Sequence, residues 1–198
     1  LIEMAKKVLV LMGGFSAERE VSLTTGKCVC AALKKAGYEV VSHDLQNGFE
    51  LVETLKKEKP DVVFNALHGN WGEDGEIQGF LDVLQVPYTH SGLKASVLGM
   101  DKSLTKELAS ENGIKVPQGE KMTFRKFKAE GTFLKMPYVV KPVSDGSSVG
   151  VYIIRKKEDV EAVRYEDDRE ILIEEFIDGK ELTCMVLGSQ AHVVTELR

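Results

Sequence analysis

Residues 7–41 read KVLVLMGGFSAEREVSLTTGKCVCAALKKAGYEVV. The apolar run over 7–12 stops at Gly13-Gly14, as a strand covered on both faces of a parallel sheet does. The stretch after it carries Val21, Thr25, Cys28, Val29, Ala32 and Leu33 at helical spacing, which predicts a helix burying that face. Gly37 supplies its stop, and a second short strand follows over 38–41. Strand, helix and strand in so few residues make a βαβ unit.

The pattern continues outward. Residues 51–57 form an amphipathic helix ended by Pro60, and DVVFNA over 61–66 is a third buried strand. The loop LHGNWGEDGE leads to a helix over 77–84 and a fourth strand over 86–89. Alternation at this spacing implies a parallel sheet with its ligands at the carboxyl ends of the strands. The loops after the first and third strands lie at such ends.

The texture changes after His90-Ser91-Gly92, and a domain boundary is expected near residue 95. A short helix, LKASVLG, precedes a longer one running to Glu111, with Asp101 as its N-cap and Gly113 just past its end. Strands are expected over 137–141, 151–154 and 171–173, with a charged helix between the last two. Residues 184–187 and 192–195 pair across a turn at Gly188-Ser189. This half reads as α+β with antiparallel strands.

Bulk properties narrow the function. The chain has 198 residues, 43% hydrophobic and 29% charged, which is enough for one large or two small globular domains. A net charge of -5 gives no reason to expect non-specific nucleic-acid binding. Three cysteines without regular spacing argue against a disulfide framework. No run approaches the roughly 20 apolar residues of a membrane span, and residues 1–7 hold no signal-peptide core. The expectation is a cytoplasmic protein with no membrane partner.

Four segments carry chemical potential. PVSDGSSVG over 142–150 can offer backbone N–H groups and the hydroxyls of Ser147 and Ser148 to phosphate oxygens, with Lys141 just before it. It is not a P-loop, and it also reads as a flexible surface loop. Lys102 stands at a helix start, where the macrodipole disfavours a cation, so it either meets an anion or is solvated. ILIEEFIDGKE over 171–181 is either a nucleotide hinge, with Glu174 and Glu181 accepting hydrogen bonds, or a strand end with solvated acids. His68, Glu73, Asp74 and Glu76 in one loop fit a metal site or acid–base work, but no tight metal-ligand spacing is present. Glu18, Arg19 and Glu20 also read as first-turn helix residues.

Taken in order, GGFSAEREVS at 13–22, HGNWGEDGEIQG at 68–79, GMDKSLTK at 99–106, VVKPVSDGSSVGV at 139–151 and IEEFIDGKELT at 173–183 resemble the signatures of the D-alanine–D-alanine ligases of the ATP-grasp group. The resemblance implies a fold. Residues 1–95 would be an α/β substrate-binding domain with a parallel, Rossmann-like (pre-ATP-grasp) sheet. Residues 96–198 would be an α+β ATP-grasp central domain and the start of a C-terminal domain whose remainder is missing. It also implies roles. Glu18 would hold the ammonium of the first D-alanine, and Ser147 would link Glu18 to the mobile loop near the reacting phosphate. His68 would lie near the first substrate, and Glu73 would help order the closed site. Lys102 and Lys141, with Ser147 and Ser148, would meet the ATP phosphates. Glu174 would meet the adenine amine, Phe176 and Ile177 the hinge backbone, and Glu181 the ribose.

The implied reaction joins two D-alanines through an acyl phosphate for peptidoglycan synthesis, with ATP as substrate and Mg2+ or Mn2+ as cofactor. Family analogy implies a homodimer. The metal ligands, and the residues that choose the second substrate, are expected in the missing C-terminal part, not here. The alternatives are a ligase making D-alanyl-D-lactate or D-alanyl-D-serine, and a non-catalytic nucleotide-binding fragment. A dinucleotide-binding redox domain fails, because residues 12–15 lack the GxGxxG spacing. The run AVRYEDDREI is short for the family's helix at that point, so the sequence is expected to be a truncation or an ordered subset of a longer chain.

Overall fold

The computed structural model describes residues 6–146 and 148–197. Strand β1 (Lys7–Gly13) is the centre of a parallel sheet in the order β2-β1-β3, flanked by β2 (Glu39–Leu45) and β3 (Val62–Asn65). Val8 to Met12 are all buried, as the unbroken apolar run predicts, because helices cover both faces. One face packs Leu9, Leu11 and Val63 against Leu51 and Leu55 of α2 (Gly48–Glu58) and Ile77 and Leu81 of α3 (Glu76–Val83). The other packs Val8, Val10 and Met12 against α1 (Arg19–Lys35).

Two expectations need correction here. The face of α1 that turns inward holds Ser22, Leu23, Gly26, Val29, Cys30 and Leu33, while Val21 is 54% exposed and Cys28 lies outside. The helix is seated by small residues, which an apolar count passes over. A Cβ on Gly26 would stand 2.6 Å from the Cβ of Met12, so the missing side chain is what lets helix and strand approach. The fourth strand expected over 86–89 is reduced to one parallel bridge, Val63 to Tyr88.

Two short helices, α4 (Leu93–Met100) and α5 (Lys102–Glu111), lead to the second sheet. Asp101 caps α5 as expected, accepting from the backbone N–H of Ser103 at 2.8 Å and of Leu104 at 3.0 Å. The second sheet is antiparallel, in the order β4-β7-β5-β6, from β4 (Gly119–Thr123), β5 (Tyr138–Pro142), β6 (Tyr152–Ile154) and β7 (Glu170–Glu175). Helix α6 (Phe124–Glu130) helps close its apolar face, where Met122, Tyr138, Val140, Ile154, Ile171 and Ile173 meet Phe124, Phe127 and Val163. The charged helix expected after β6 is a 3-10 helix, Lys157–Ala162. Finally, β8 (Glu181–Leu187) and β9 (Gln190–Leu197) form the hairpin read from the sequence, turning at Gly188 with φ +60°.

Replacing Gly26 by Ala sets two effects against each other. Helix propensity favours Ala by about 1 kcal/mol, whereas overpacking against a strand in a filled core costs about 1–3 kcal/mol. The close approach to Met12 decides for the second. Gly26→Ala is expected to lower the urea midpoint, and a raised midpoint would show that this packing is loose.

Candidate functional site

The carboxyl ends of β1 and β3 open side by side, and short hydrogen bonds tie their loops together. Gly13 and Gly14 turn the chain with φ near +84° and +83°, conformations that suit glycine. The buried hydroxyl of Ser22 accepts from the Gly13 N–H at 2.9 Å and donates to the Ala66 carbonyl at 2.8 Å. Ser16 Oγ donates to the carbonyl of His68 at 2.7 Å and accepts from the Glu18 N–H at 3.1 Å. Arg19 grips Asp44 with two nitrogens, at 2.8 and 2.7 Å, and donates to the Gly14 carbonyl at 3.2 Å. The guanidinium beside Asp44 holds that carboxyl below its usual range.

Glu18, at the N-cap position of α1, lies against two glycines. A Cβ on Gly69 would come within 2.6 Å of its Oε2, and one on Gly146 within 3.0 Å. Close by, His68 Nε2 meets Thr25 Oγ1 at 3.1 Å, and its Nδ1 lies 3.5 Å from Glu73. The other Glu73 oxygen accepts from the Gly69 N–H at 2.9 Å. Glu18, His68 and the loop after β5 thus converge on one edge.

Strand alternation builds the adjoining surface. In the β5–β7 pairing Val139 stands opposite Glu174 and Lys141 opposite Leu172, so Lys141 and Glu174 share the face away from the apolar cluster. Glu174 is buried, and Lys141 Nζ is in close contact with its Oε2. Lys106, on α5, approaches Oε1 at 2.6 Å. Burial works to raise the Glu174 carboxyl, but the hydrogen bonds from Lys106 and Lys141, with their charges, outweigh it and hold the pKa below the ordinary value. A Cβ on Gly119, opposite Glu174, would be 2.3 Å from the Ile173 carbonyl oxygen, so β4 closes on this carboxylate through a bare backbone.

Lys102, one turn before Lys106, points to the glycine-rich loop. Its ammonium donates to the carbonyls of Asp145 at 2.7 Å and Val143 at 3.4 Å. Burial and the charge of Lys141 push its pKa down, partly offset by Asp145 and Asp101. The loop is held from its other side by Arg169, which donates to the Ser144 carbonyl at 2.9 Å and pairs with Asp145. Tyr165 donates to the Gly150 carbonyl at the loop's far end. Ser148 is exposed with φ +57°, and Ser147 lies outside the described residues.

Three openings line up through shared residues. One of about 260 Å³ is lined by Glu18, Gly69, Trp71 and Gly146. A larger one of about 580 Å³ runs from Gly146, Thr25 and His68 to Gly99 and Lys102. The third, about 250 Å³, lies between Gly99, Lys102, Lys106, Lys141, Pro117 and Glu174. Phe176 packs its ring under Arg155 at 4.9 Å, and Ile177 and Glu181 are exposed on the way into β8. Sequence reasoning missed Thr25, Ser16, the Arg19–Asp44 pair and Lys106. Only Lys106 had a readable signal, since it falls four residues after Lys102 and so on the same helix face.

A parallel three-stranded unit followed by an antiparallel sheet, with lysines and a glycine-rich loop facing the join, is the front of an ATP-grasp architecture. Models of the D-ala D-ala ligase N-terminus and C-terminus match residues 46–91 and 108–198. The chain is 46% identical over 201 residues to a D-alanine–D-alanine ligase of Parvibaculum lavamentivorans, covering 99% of this chain and 64% of that protein. It is 48% identical over 196 residues to one of Paramagnetospirillum magneticum, covering 98% and 64%. A crystal structure of the Bacillus anthracis D-alanine–D-alanine ligase superimposes with a TM-score of 0.82 at 37% identity, over 98% of this chain and 65% of that one. The same enzyme complexed with ATP gives 0.80 at 34% identity, over 98% and 66%. The chain belongs to the D-alanine–D-alanine ligase family, and it spans just under two thirds of the length of these relatives.

Two outcomes follow from the packing. Gly69→Ala combines φ +66° with the approach to Glu18 and is expected to lower stability by about 1–2 kcal/mol in urea denaturation. Paired with Glu18→Ala, it should cost less than the sum of the two single changes, and strict additivity would place Glu18 elsewhere. Glu174→Gln removes a carboxylate whose folded pKa lies below the ordinary 4.5. Its stabilisation is complete above that value and is lost as pH falls through the folded pKa. The stability gap between parent and Glu174→Gln, about 2 kcal/mol near neutrality, should therefore close on acidification, and a pH-independent gap would contradict the double ion pair.

Proposed function

We propose that this chain is the substrate- and nucleotide-binding front of an enzyme that uses ATP to join two D-alanines for peptidoglycan synthesis in the cytoplasm. In this reading residues 1–95 receive the first D-alanine and residues 96–198 belong to the ATP-binding unit. The observation that carries it is the convergence of Glu18, the His68–Glu73 pair and the glycine-rich loop at one strand edge, continuous with the pocket of three lysines and Glu174.

The carboxylate of the first D-alanine attacks the γ-phosphorus, forming an acyl phosphate and releasing ADP. The amine of the second then attacks the acyl carbon, and the tetrahedral intermediate expels phosphate. Glu18 binds the first ammonium by a charge-assisted bond. His68, braced by Thr25 and Glu73, lies beside the same substrate. Lys102 and Lys141, with the backbone and hydroxyl of Ser148, receive the phosphates. Glu174 accepts from the adenine amine, Phe176 and Ile177 offer hinge backbone, and Glu181 holds the ribose. Positioning and charge neutralisation dominate such a transfer. A divalent cation, Mg2+ or Mn2+, belongs to the reaction, and the active protein is read as a homodimer. In this reading its ligands belong to the part of the family that this chain does not span.

The reading is tested by D-alanine-dependent phosphate release from ATP by the full-length protein. Lys141→Ala and Glu18→Ala are each expected to lower it by about a hundredfold or more. Release that needs no D-alanine, or that survives both changes, would overturn the assignment.

A further inference from the structure

Glu174 is buried and meets two ammonium groups, one on each oxygen. Their surroundings differ. Lys141 sits two residues from Glu174's cross-strand partner and beside the glycine-rich loop, so it is placed to serve a phosphate. Lys106 rises from α5 to the opposite oxygen, Oε1, at 2.6 Å, and lines the same opening of about 250 Å³. Lys102, the third ammonium, is already engaged by two loop carbonyls and makes no contact with Glu174.

A carboxylate that loses Lys141 to an arriving phosphate would be left buried and unpaired unless something else holds it. An uncompensated buried charge is strongly unfavourable and shifts toward protonation. A protonated Glu174 presents a donor where an exocyclic amine needs an acceptor. Resting on the reading of Glu174 as the adenine contact, we propose that Lys106 is a positioning residue of the nucleotide site. It keeps Glu174 ionised and oriented as an acceptor while Lys141 is free to bind phosphate. The pair thereby selects adenine, whose six-position carries an amine, over guanine, which carries a carbonyl oxygen there that an ionised carboxylate repels.

A brace between α5 and β7 with no further role would change stability and leave base selectivity alone. The test is the affinity of the full-length protein for ATP and GTP by calorimetry, in the parent, Lys106→Met, Lys106→Arg, Glu174→Gln and the Lys106→Met/Glu174→Gln double variant. Lys106→Met is expected to weaken ATP about tenfold while changing GTP little, so the ratio between the two falls. Lys106→Arg should restore most of it, and the double variant should bind ATP no worse than Glu174→Gln alone. Should Lys106→Met fail to fold, Lys106→Gln, a donor without charge, carries the same comparison. An unchanged ATP-to-GTP ratio in a folded Lys106 variant, or additive losses in the double variant, would overturn the proposal. A parent that binds neither nucleotide would instead remove the nucleotide reading beneath it.

Discussion

The hydroxyl of Ser22 receives the N–H of Gly13 and donates to the carbonyl of Ala66, with no exposed surface of its own. It joins the ends of β1 and β3 through the first turn of α1, and the surrounding geometry depends on that junction. A buried N–H or carbonyl left unpaired costs about 1–3 kcal/mol, so a strand edge that opens into loops must satisfy each group locally. Ser22 satisfies two at once and is small enough to let α1 settle onto β1. Ser16, Glu73 and the Arg19–Asp44 pair extend the same logic outward, each binding a loop backbone to its neighbour.

The second sheet solves a different problem. One of its faces is a dense apolar cluster and the other carries Lys141 and Glu174, a division enforced by the two-residue period of its strands. Burying a carboxylate there is tolerable because two ammonium groups compensate it. The same arrangement leaves three lysines around one opening, against a single acid on its wall. The local surplus of positive charge contrasts with the chain's net charge of -5 and is what an anionic ligand would meet first.

Much of this was readable in the residues. The buried run over β1, the cap at Asp101, the turn at Gly188 and the change of texture after His90 all rest on local chemistry, and local chemistry is written in order along the chain. The inward face of α1 was misjudged because Ser22 and Gly26 contribute by being small, which no hydrophobic period records. The strand expected over 86–89 has the right composition but reaches the sheet edge for one bridge only. The ordered motifs from Gly13 to Thr183 pointed to the family before any contact was visible.

The sequence alone therefore determined most of the strands, though not β4 and not the lone bridge at Tyr88, as well as which loops carry polar groups and glycines and which family they resemble, since these follow from side-chain period, turn chemistry and motif order. Tertiary structure decided the partnerships. That Lys106 meets Glu174 across 68 residues, that Thr25 meets His68, and that Lys102 holds the carbonyl of Asp145 are consequences of how helix α5 and two sheets come together in space. Such pairings depend on distances between elements, and no local pattern encodes a distance.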